Sequence, residues 1–315
     1  MKDALVIGSR GSKLALTQAE LVKSELERLH TSIAVRIEII KTSGDVKSDP
    51  LSVIGGKGVF TKELEDALLD GRIDLAVHSL KDLPTILPEG LSLAAICKRE
   101  DPRDALVLRQ KVSNEKSQGV AASIQALSHG ALVGTSSPRR LAQLKHLRGD
   151  LVFKDLRGNV DTRLRKLDEG EYDALVLACA GLRRLGLEQR ISAPLPTSEM
   201  LPAVGQGALG IETRDDDSAT IEVVRTLDHK FTRLACLAER AFLRSLGGGC
   251  LLPIAAHATV REKRVKLDGL VTDTEGKQVI RERLAGGFDE AEDLGRRLGE
   301  RLLERGAREL LSLHP

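Results

Sequence analysis

Aromatic side chains are scarce in this chain of 315 residues, which has no tryptophan, one tyrosine and five phenylalanines. This scarcity argues against the aromatic platforms on which proteins stack the bases of single-stranded nucleic acid. An excess of one charge is also missing, because 48 lysines and arginines are balanced by 46 aspartates and glutamates. Since no strong overall field results, we expect neither nucleic acid nor a membrane as a partner, and any preference for anions must be local.

Long apolar runs are missing as well. The run from Ala4 to Ile7 near the N-terminus is too short for a signal peptide, and no later stretch approaches the length of a membrane span. We therefore expect a cytoplasmic protein, and a monomer, because no apolar stripe demands a partner. The chain is 41% hydrophobic, so it has enough apolar residues for two or three compact units.

The four cysteines are widely separated and show no metal-ligand spacing, so we expect thiols and no bound metal. Cys97 and Cys179 stand in apolar strand-like runs and Cys236 in a helical run, which is typical of small core residues. Cys250 differs because it follows Gly247, Gly248 and Gly249. Such a loop lets a bulky group approach the sulfur, which makes Cys250 the candidate for covalent chemistry.

One pattern recurs along the first two thirds of the chain: a short apolar strand, a polar turn and then apolar residues at helical spacing. The strands are expected at 4–7, 75–77, 132–134, 151–153 and 175–178. Ser137 is suited to cap the helix after the third strand, and Pro138 suits its first position. The alternation predicts an α/β fold with mainly parallel sheets, in which ligands bind beyond the carboxyl ends of the strands.

Arginines recur in the turns that follow these strands. A helix N-terminus offers free backbone donors, and a guanidinium adds a planar fork that matches carboxylate or phosphate. The arginines at matching positions are Arg10, Arg139, Arg140, Arg157, Arg163 and Arg184. Arg165 and Arg183 are out of step with this placement and are interpreted as surface charges. The pattern therefore predicts a ligand with several negative groups.

Two crossings divide the chain into lobes. The first is the charged, proline-bearing stretch 99–103, and the second is 194–207, rich in proline and glycine. The predicted domains are residues 1–99 with 203–224, residues 100–202, and residues 225–315. The last is expected to be an α+β unit with a helix at 231–246, strands within 260–284 that turn at 274–276, and an amphipathic helix at 291–311. The glycine-rich stretch 42–58 fits a lid and a plain surface loop equally well.

Seven stretches, in this order, resemble the porphobilinogen deaminase (hydroxymethylbilane synthase) family over nearly the whole chain. They are GGKGVF at 55–60, AVHSLKD at 76–82, REDPRDA at 99–105, GTSSPRR at 134–140, LRGNV at 156–160, LPAVGQG at 201–207 and GGC at 248–250. Each glycine motif alone is weak evidence for a family, but the order of all seven stretches makes the resemblance specific. It implies three α/β domains, the first two resembling a two-lobed, periplasmic-binding-protein-like fold.

The resemblance also implies an activity. The family's enzymes are transferases of tetrapyrrole, porphyrin and haem biosynthesis that join four porphobilinogen molecules head to tail. They release ammonia at each step and form the linear tetrapyrrole hydroxymethylbilane (preuroporphyrinogen). The chain would grow on a dipyrromethane cofactor bound covalently, through a thioether, to Cys250.

The resemblance assigns residues to this site. Cofactor-binding residues would be Cys250, Lys81, Asp82, Thr135, Ser136, Ser137, Arg139, Arg140, Arg157 and Gly158. Substrate-binding residues would be Arg10, Ser12, Arg157, Arg163 and Arg184. All of them would contact the pyrrole rings or their acetate and propionate groups.

Asp82 is the predicted catalytic residue. Loss of ammonia from the aminomethyl pyrrole creates an azafulvene-like cation, which a nearby carboxylate can stabilise while it manages the protons. Without the resemblance, Asp82 could equally be the N-cap of a helix after the strand at 75–77, and both can hold. His78 is interpreted as structural. Lys57 could contact carboxylates from the glycine-rich loop or be solvated.

Three local features depart from the family pattern: Pro138 where leucine often precedes the paired arginines, Leu251 and Leu252 after Cys250, and a longer segment from Lys111 to Gln125. Two other classes of protein would fit part of this sequence pattern. An anion-binding protein would share the lobes and arginines but would need neither Cys250 nor the third unit. A thiol hydrolase would need a histidine partner for Cys250, which no sequence feature supplies.

Overall fold

Runs of aliphatic and β-branched residues form the strands, and runs with apolar residues at helical spacing form the helices. The computed structural model describes residues 2–42, 61–109, 123–248 and 252–312. The strands are β1 (Ala4–Ser9), β2 (Ala34–Ile39), β3 (Leu75–Ser79), β4 (Leu91–Ile96), β5 (Asp104–Leu108), β6 (Leu132–Gly134), β7 (Val152–Lys154), β8 (Ala174–Ala178), β9 (Ala193–Pro194), β10 (Leu209–Arg214), β11 (Ile254–Arg261), β12 (Arg264–Thr272) and β13 (Val279–Gly287). The α-helices are α1 (Lys13–Leu29), α2 (Lys62–Leu69), α3 (Pro138–Leu147), α4 (Val160–Asp168), α5 (Cys179–Arg184), α6 (Ser218–Arg225), α7 (Lys230–Ser245), α8 (Ala291–Leu302) and α9 (Arg308–Ser312).

The first five-stranded sheet has the order β2-β1-β3-β10-β4. Strand β1 runs parallel to β2 and β3, whereas β10 runs antiparallel to β3 and β4. Helix α1 packs on this sheet because Val22 and Leu26 fall on one helical face, where they share a core with Leu5 and Ile7 of β1. We call this sheet, with α1, α2 and α6, lobe 1.

The second five-stranded sheet has the order β7-β6-β8-β5-β9. Strand β6 runs parallel to β7 and β8, whereas β5 runs antiparallel to β8 and β9. Leu144 of α3 packs on one face with Val133, and Leu167 of α4 packs on the other face with Leu175. We call this sheet, with α3, α4 and α5, lobe 2. In each lobe the antiparallel strand is the one that enters from a crossing.

The two crossings contact each other. The Glu100 N–H donates to the Gly207 carbonyl at 3.1 Å. Gly207 has a φ of +90°, and a Cβ at this position would lie 2.4 Å from the Glu100 carbonyl oxygen, so the contact requires glycine. Two α/β lobes joined by paired crossings, with a smaller third unit, confirm the predicted fold class. The domain boundaries at 99, 202 and 224 stay a prediction.

The third unit is an antiparallel meander, β11-β12-β13, covered by α7 and α8. The two helices pack so closely that a Cβ at Gly295 would lie 2.2 Å from the Ala238 carbonyl oxygen, and Phe242 is fully buried between helix and sheet. The turn between β12 and β13 contacts lobe 2, since the His146 Nδ1 lies 2.9 Å from the Gly276 carbonyl oxygen.

Several local predictions were wrong. The segment directly after β3 is not an α-helix but a 3-10 helix, Leu80–Asp82. Asp82 is its last residue and is therefore not a helix N-cap. The predicted helix at 291–311 is interrupted by a π segment, Leu303–Ala307, because Gly306 has a φ of +99°. Strand β11 begins at Ile254, and a tight turn at Glu262 and Lys263, both with positive φ, was not predicted.

Other predictions fall partly outside the described residues: residues 43–58 of the glycine-rich stretch, including Lys57, residues 111–122 of the longer segment, and Cys250. In the part of the chain that is described, no helix is long and apolar enough to cross a membrane.

Candidate functional site

The predicted site residues lie at the carboxyl ends of the parallel strands of both lobes, as the pattern of turns predicts. In lobe 1, Arg10 follows β1 and is half-buried. Ser12 caps α1, because its Oγ accepts from the Ala15 N–H at 3.3 Å. Lys81 and Asp82 form the end of the 3-10 helix after β3, with Lys81 half-buried and Asp82 exposed. Lobe 1 therefore brings one exposed carboxylate and two cations to the sheet edge.

The hydroxyl-rich turn after β6 is tied to the neighbouring turn of lobe 2. Ser136 Oγ donates to the Leu156 carbonyl and accepts from the Leu156 N–H at 2.9 Å. Thr135 is buried, and its Oγ1 accepts from the Ser137 N–H at 3.3 Å. Ser137 is at the N-cap position of α3 and Pro138 at its start, as predicted, but the Ser137 side chain makes no capping bond. The Ser137 hydroxyl can therefore serve a ligand.

Arg139 and Arg140 are buried and converge on one carboxylate that sequence reasoning missed, Asp104. Arg139 Nη1 lies 2.6 Å from Asp104 Oδ2, and Arg140 Nε lies 2.9 Å from Asp104 Oδ1. Gln206, from the second crossing, donates to the same Oδ1 at 3.0 Å. A sequence signal for Asp104 exists, because it stands in the stretch REDPRDA at 99–105.

This cluster keeps a net positive charge. Burial alone would raise the pKa of Asp104, but the two guanidiniums outweigh burial and hold it far below its ordinary value. One carboxylate then faces two guanidiniums. Burial lowers the pKa of Lys81, Asp82 opposes this shift, and Arg140 and Arg139 add to it. The positive charge of the lobe 2 arginines therefore helps to lower the pKa of Lys81 in lobe 1.

Arg157, Gly158 and Arg163 surround the start of α4. Arg157 pairs with Asp155, with Nε 2.7 Å from Oδ2, in a largely exposed contact. Gly158 has a φ of +101°, and the Arg163 Nε donates to its carbonyl at 2.8 Å. Burial and then Arg140 lower the pKa of Arg163 to about 10, against the effects of Asp155 and Asp82. Asp82 of lobe 1 is therefore near enough to influence an arginine of lobe 2.

Arg184 reaches from lobe 2 to lobe 1. Its Nη1 donates to Gln18 Oε1 at 3.0 Å, and its Nη2 donates to the Gly207 carbonyl at 2.6 Å. Gln18 Oε1 also accepts from Ser79 Oγ at 2.8 Å. Sequence reasoning missed Gln18, which lies on a helix face without any motif. Arg184 thus reaches the same strand edge as the other predicted arginines while contacting both lobe 1 and the second crossing.

Arg165 and Arg183, which were interpreted as surface charges, form ion pairs, and His78, which was interpreted as structural, lies inside lobe 1. Arg165 pairs with Glu169 at 2.9 Å on an exposed helix surface, and Arg183 pairs with Glu100 at 2.8 Å. His78 is buried, with its Nε2 3.0 Å from Glu212 Oε2 on the neighbouring strand β10. These contacts lie within or between elements of the fold.

Three of the four thiols are inert. Cys179 and Cys236 are fully buried and Cys97 is half-buried against the core of lobe 1. Burial raises the pKa of each to about 12, so little thiolate forms at neutral pH. Helix α7 ends at Ser245, and Gly247 and Gly248 lead toward Cys250, which lies outside the described residues.

The candidate site comprises seven cations and three carboxylates at the strand ends of the two sheets. The cations are Arg10, Lys81, Arg139, Arg140, Arg157, Arg163 and Arg184, and the carboxylates are Asp82, Asp104 and Asp155. Asp104 and Asp155 pair with arginines at 2.6 and 2.7 Å, whereas Asp82 is exposed at the end of its 3-10 helix. Such an arrangement can bind a polycarboxylate and present one carboxylate to its reacting part.

Known proteins match this chain over nearly its whole length. A family model described as porphobilinogen deaminase, dipyromethane cofactor binding domain, matches residues 5–222, and one described as porphobilinogen deaminase, C-terminal domain, matches residues 233–304. A porphobilinogen deaminase of a Synechococcus strain is 52% identical over 311 residues, 98% of this chain and 96% of the relative. One from Pelobacter propionicus is 50% identical over 308 residues, with the same coverage.

Solved structures align more distantly. A TRAP periplasmic solute binding protein from Desulfovibrio salexigens is 13% identical, with a TM-score of 0.40 over 72% of this chain and 73% of that one.

Proposed function

The chain belongs to the porphobilinogen deaminase family, and we propose that it acts through the positively charged edge shared by lobes 1 and 2. It is a transferase of tetrapyrrole biosynthesis that joins porphobilinogen molecules head to tail, with release of ammonia, into hydroxymethylbilane. Residues 5–222 match the family's dipyrromethane cofactor binding domain. The assignment of individual residues to this activity is our proposal.

The observation that carries the assignment is the set of seven cations that follow the strand ends of the two lobes, with the exposed Asp82 near enough to influence Lys81 and Arg163. Porphobilinogen and the growing chain carry an acetate and a propionate on every pyrrole ring, so the ligand gains negative charge as it grows. Bidentate arginines suit such groups better than point charges do. A site with this excess of guanidinium fits an acidic oligopyrrole.

The donors present also fit the cofactor. We assign its acidic side chains to Lys81, Arg139, Arg140 and Arg157, and its polar contacts to the turn Thr135–Ser137 and to Gly158. The Ser137 hydroxyl, which is not used in capping α3, supports this assignment. When bound, the dipyrromethane group supplies the pyrrole carbon to which the first porphobilinogen is joined.

Cys250 is the proposed covalent attachment, through a thioether. Support comes from the other three thiols, whose pKa values are raised to about 12 by burial and which pack in the cores. The run of glycines after α7 supports it too, because glycines leave space beside the sulfur.

Asp82 is the proposed catalytic residue. As the bond between the aminomethyl carbon and nitrogen breaks, ammonia leaves and positive charge spreads over the pyrrole. A carboxylate that accepts the pyrrole N–H stabilises that charge, and it can take the proton that the attacking ring carbon loses. Exposure of Asp82 at the end of its 3-10 helix supports this role, because its oxygens are open to a ligand.

The incoming substrate is assigned to Arg10, Ser12, Arg157, Arg163 and Arg184. The Ser12 Oγ accepts the capping bond of α1, but its hydroxyl proton remains able to donate to a carboxylate. Arg184 uses two N–H groups on Gln18 and Gly207, and a guanidinium has five. Both residues can therefore bind a carboxylate without leaving their present partners.

We also propose a cellular location, an oligomeric state and a set of domain boundaries. The enzyme works in the cytoplasm as a monomer, without nucleic acid, and its domains are 1–99 with 203–224, 100–202 and 225–315. Cys97, Cys179 and Cys236 form no disulfide with one another, which is the usual state of cysteines in a reducing compartment.

Intact mass tests the covalent assignment. Purified enzyme should exceed the bare polypeptide by two pyrrole units and react with Ehrlich's aldehyde, whereas Cys250→Ser should have the mass of the polypeptide alone. Cys97→Ser is the matched control and should keep the excess. Active enzyme with an unmodified Cys250 would contradict the proposal. A mass equal to the polypeptide in an inactive protein that binds anions would favour an anion-binding protein instead.

A further inference from the structure

Two consecutive residues of α7 connect the third unit to the rest of the molecule. Glu239 is fully buried; it pairs with Arg99 of the first crossing at 2.6 Å and accepts from the Gly205 N–H of the second crossing at 2.7 Å. Arg240, the next residue, points elsewhere: it reaches the segment that directly follows Asp82. Helix α7 therefore contacts both the crossings and the segment beside the predicted catalytic carboxylate.

Arg240 donates to two backbone carbonyls of the segment after Asp82. Its Nη1 donates to the Leu83 carbonyl at 3.0 Å and its Nη2 to the Pro84 carbonyl at 2.6 Å. Arg240 is 6% exposed and the bond to Leu83 is buried, so loss of the guanidinium would leave that buried carbonyl without this donor. One planar guanidinium thus fixes two consecutive peptide groups.

The segment held in this way has little other regular structure. The 3-10 helix ends at Asp82, and no helix or strand is found among the described residues until Leu91. Leu83 is buried in a cluster with Leu80 and with Cys236 of α7. Apolar packing on α7 therefore fixes the segment's depth, and the Arg240 fork fixes its orientation.

We propose that Arg240 is a positioning residue that sets the place of Asp82 relative to α7. The inference rests on the function proposed above, in which Asp82 acts on the pyrrole and Cys250 holds the cofactor. Arg240 lies in the second half of helix α7, which ends at Ser245. The helix that carries Arg240 therefore helps to place the carboxylate, which catalysis requires to a fraction of an ångström.

Arg233 provides a matched control. It lies seven residues earlier on α7 and therefore on the same helical face. Its guanidinium also donates to a backbone carbonyl of lobe 1, that of Ala94 in β4, at 2.9 Å, and to Asp228. It joins α7 to lobe 1 by the same kind of contact but away from Asp82.

The experiment compares Arg240→Lys and Arg240→Gln with Arg233→Lys. All three should keep the cofactor, seen as the mass excess, and should lower Tm by similar amounts. We expect kcat of Arg240→Lys to fall at least about 10-fold and that of Arg240→Gln about 100-fold, with KM changed less than about 2-fold, since misplacement of a catalytic group reduces kcat. Arg233→Lys should keep kcat within about 2-fold.

A double mutant tests whether the effect passes through Asp82. In an Asp82→Asn background, Arg240→Lys should reduce kcat no further, because coupled residues are not additive. Equal kcat in Arg240→Lys and Arg233→Lys, or a full additional loss in the Asp82→Asn background, would overturn the inference. Normal turnover of Asp82→Asn alone would instead overturn the function assigned to Asp82, so the two failures can be told apart.

Discussion

Lobes 1 and 2 share one sheet order but use it differently. In each, three neighbouring strands run parallel and the strand that enters from a crossing runs antiparallel beside them. Each antiparallel strand carries a buried acid, Glu212 in β10 and Asp104 in β5. Glu212 pairs with His78 inside lobe 1, whereas Asp104 holds Arg139 and Arg140 at the site.

The difference comes from position along the strand. Asp104 is the first residue of β5 and lies opposite Ala178, the last residue of β8, so it stands at the edge where ligands bind. Glu212 lies opposite Ala76, the second residue of β3, and is therefore inside the sheet. Topology decides where a ligand can bind, and register decides whether an acid serves the site or the core.

The lobes also divide the chemistry. Lobe 1 supplies the exposed carboxylate Asp82, and lobe 2 supplies most of the arginines. Removing Asp82 should therefore stop turnover without removing the cofactor. For Asp82→Asn we expect the cofactor mass to remain and turnover, measured as ammonia release, to fall about 10²–10⁴-fold.

The lobe 2 counterpart is Arg157→Leu. It should weaken cofactor assembly or chain growth, seen as altered bands of enzyme–intermediate complexes on native gels. Normal turnover of Asp82→Asn, or loss of its cofactor, would contradict this division of roles.

The two buried acids offer the next test. Asp104→Asn leaves two buried guanidiniums without a carboxylate, and removing one partner of a buried ionic cluster costs about 3–5 kcal/mol. Glu212→Gln should cost about 1 kcal/mol, because its amide oxygen can still accept from the His78 ring. Urea unfolding of both variants measures the difference in the free energy of unfolding.

Acid pH should separate Asp104→Asn from the wild type. The pKa of Asp104 is lower in the folded protein than in the unfolded chain, so its contribution is complete above about pH 4 and is lost as pH falls toward the folded pKa. Asp104→Asn should therefore flatten the decline of stability with pH below about 4. A wild-type slope in that variant would show that Asp104 is not the group responsible.

Much of the site could be predicted because its signals are local. Each strand end, turn and helix start is encoded within a few residues, and Ser137 with Pro138 at the start of α3 is an example. The absent helix after β3 was also signalled, by Pro84 and Pro88, since a proline removes a donor and disfavours helix in the residue before it.

What could not be predicted depends on partners far apart in the chain. Gln18 meets Arg184 across 166 residues, and Arg240 meets Leu83 across 157. The pairing of Asp104 with Arg139 and Arg140 depends on β5 entering lobe 2 antiparallel, which places Asp104 opposite the end of β8. Residue type and spacing carry no information on such pairings.

Two glycines at equivalent register give a smaller test of the comparison. Gly8 of β1 lies opposite Ala76, and Gly134 of β6 lies opposite Leu175. A Cβ at Gly8 would meet the terminal methyl of Ile73 at 2.2 Å, which can rotate away. A Cβ at Gly134 would meet the ring of Tyr172 at 2.8 Å.

The Tyr172 ring has less freedom, because its hydroxyl donates to the Asp155 carbonyl at 2.7 Å. Gly134→Ala should therefore cost about 1–3 kcal/mol, the range for overpacking, and Gly8→Ala less than about 1 kcal/mol. Thermal unfolding of the two variants measures the order. A larger loss in Gly8→Ala would mean that Ile73 is as constrained as Tyr172.

The smallest expected effect is a shift in the pKa of Lys81, a residue of lobe 1 on which the arginines of lobe 2 act. Burial, with Arg140 and Arg139, lowers its pKa below the ordinary 10.5. A bound polycarboxylate adds negative charge and should raise that pKa again. Labelling of Lys81 by an amine reagent, followed against pH by mass spectrometry, should therefore have its midpoint at lower pH in cofactor-free Cys250→Ser than in the wild type. Using the midpoint rather than the rate separates charge from access. A midpoint at equal or higher pH in Cys250→Ser would show that no acidic ligand lies beside Lys81 and that the cations of lobe 2 do not act on it.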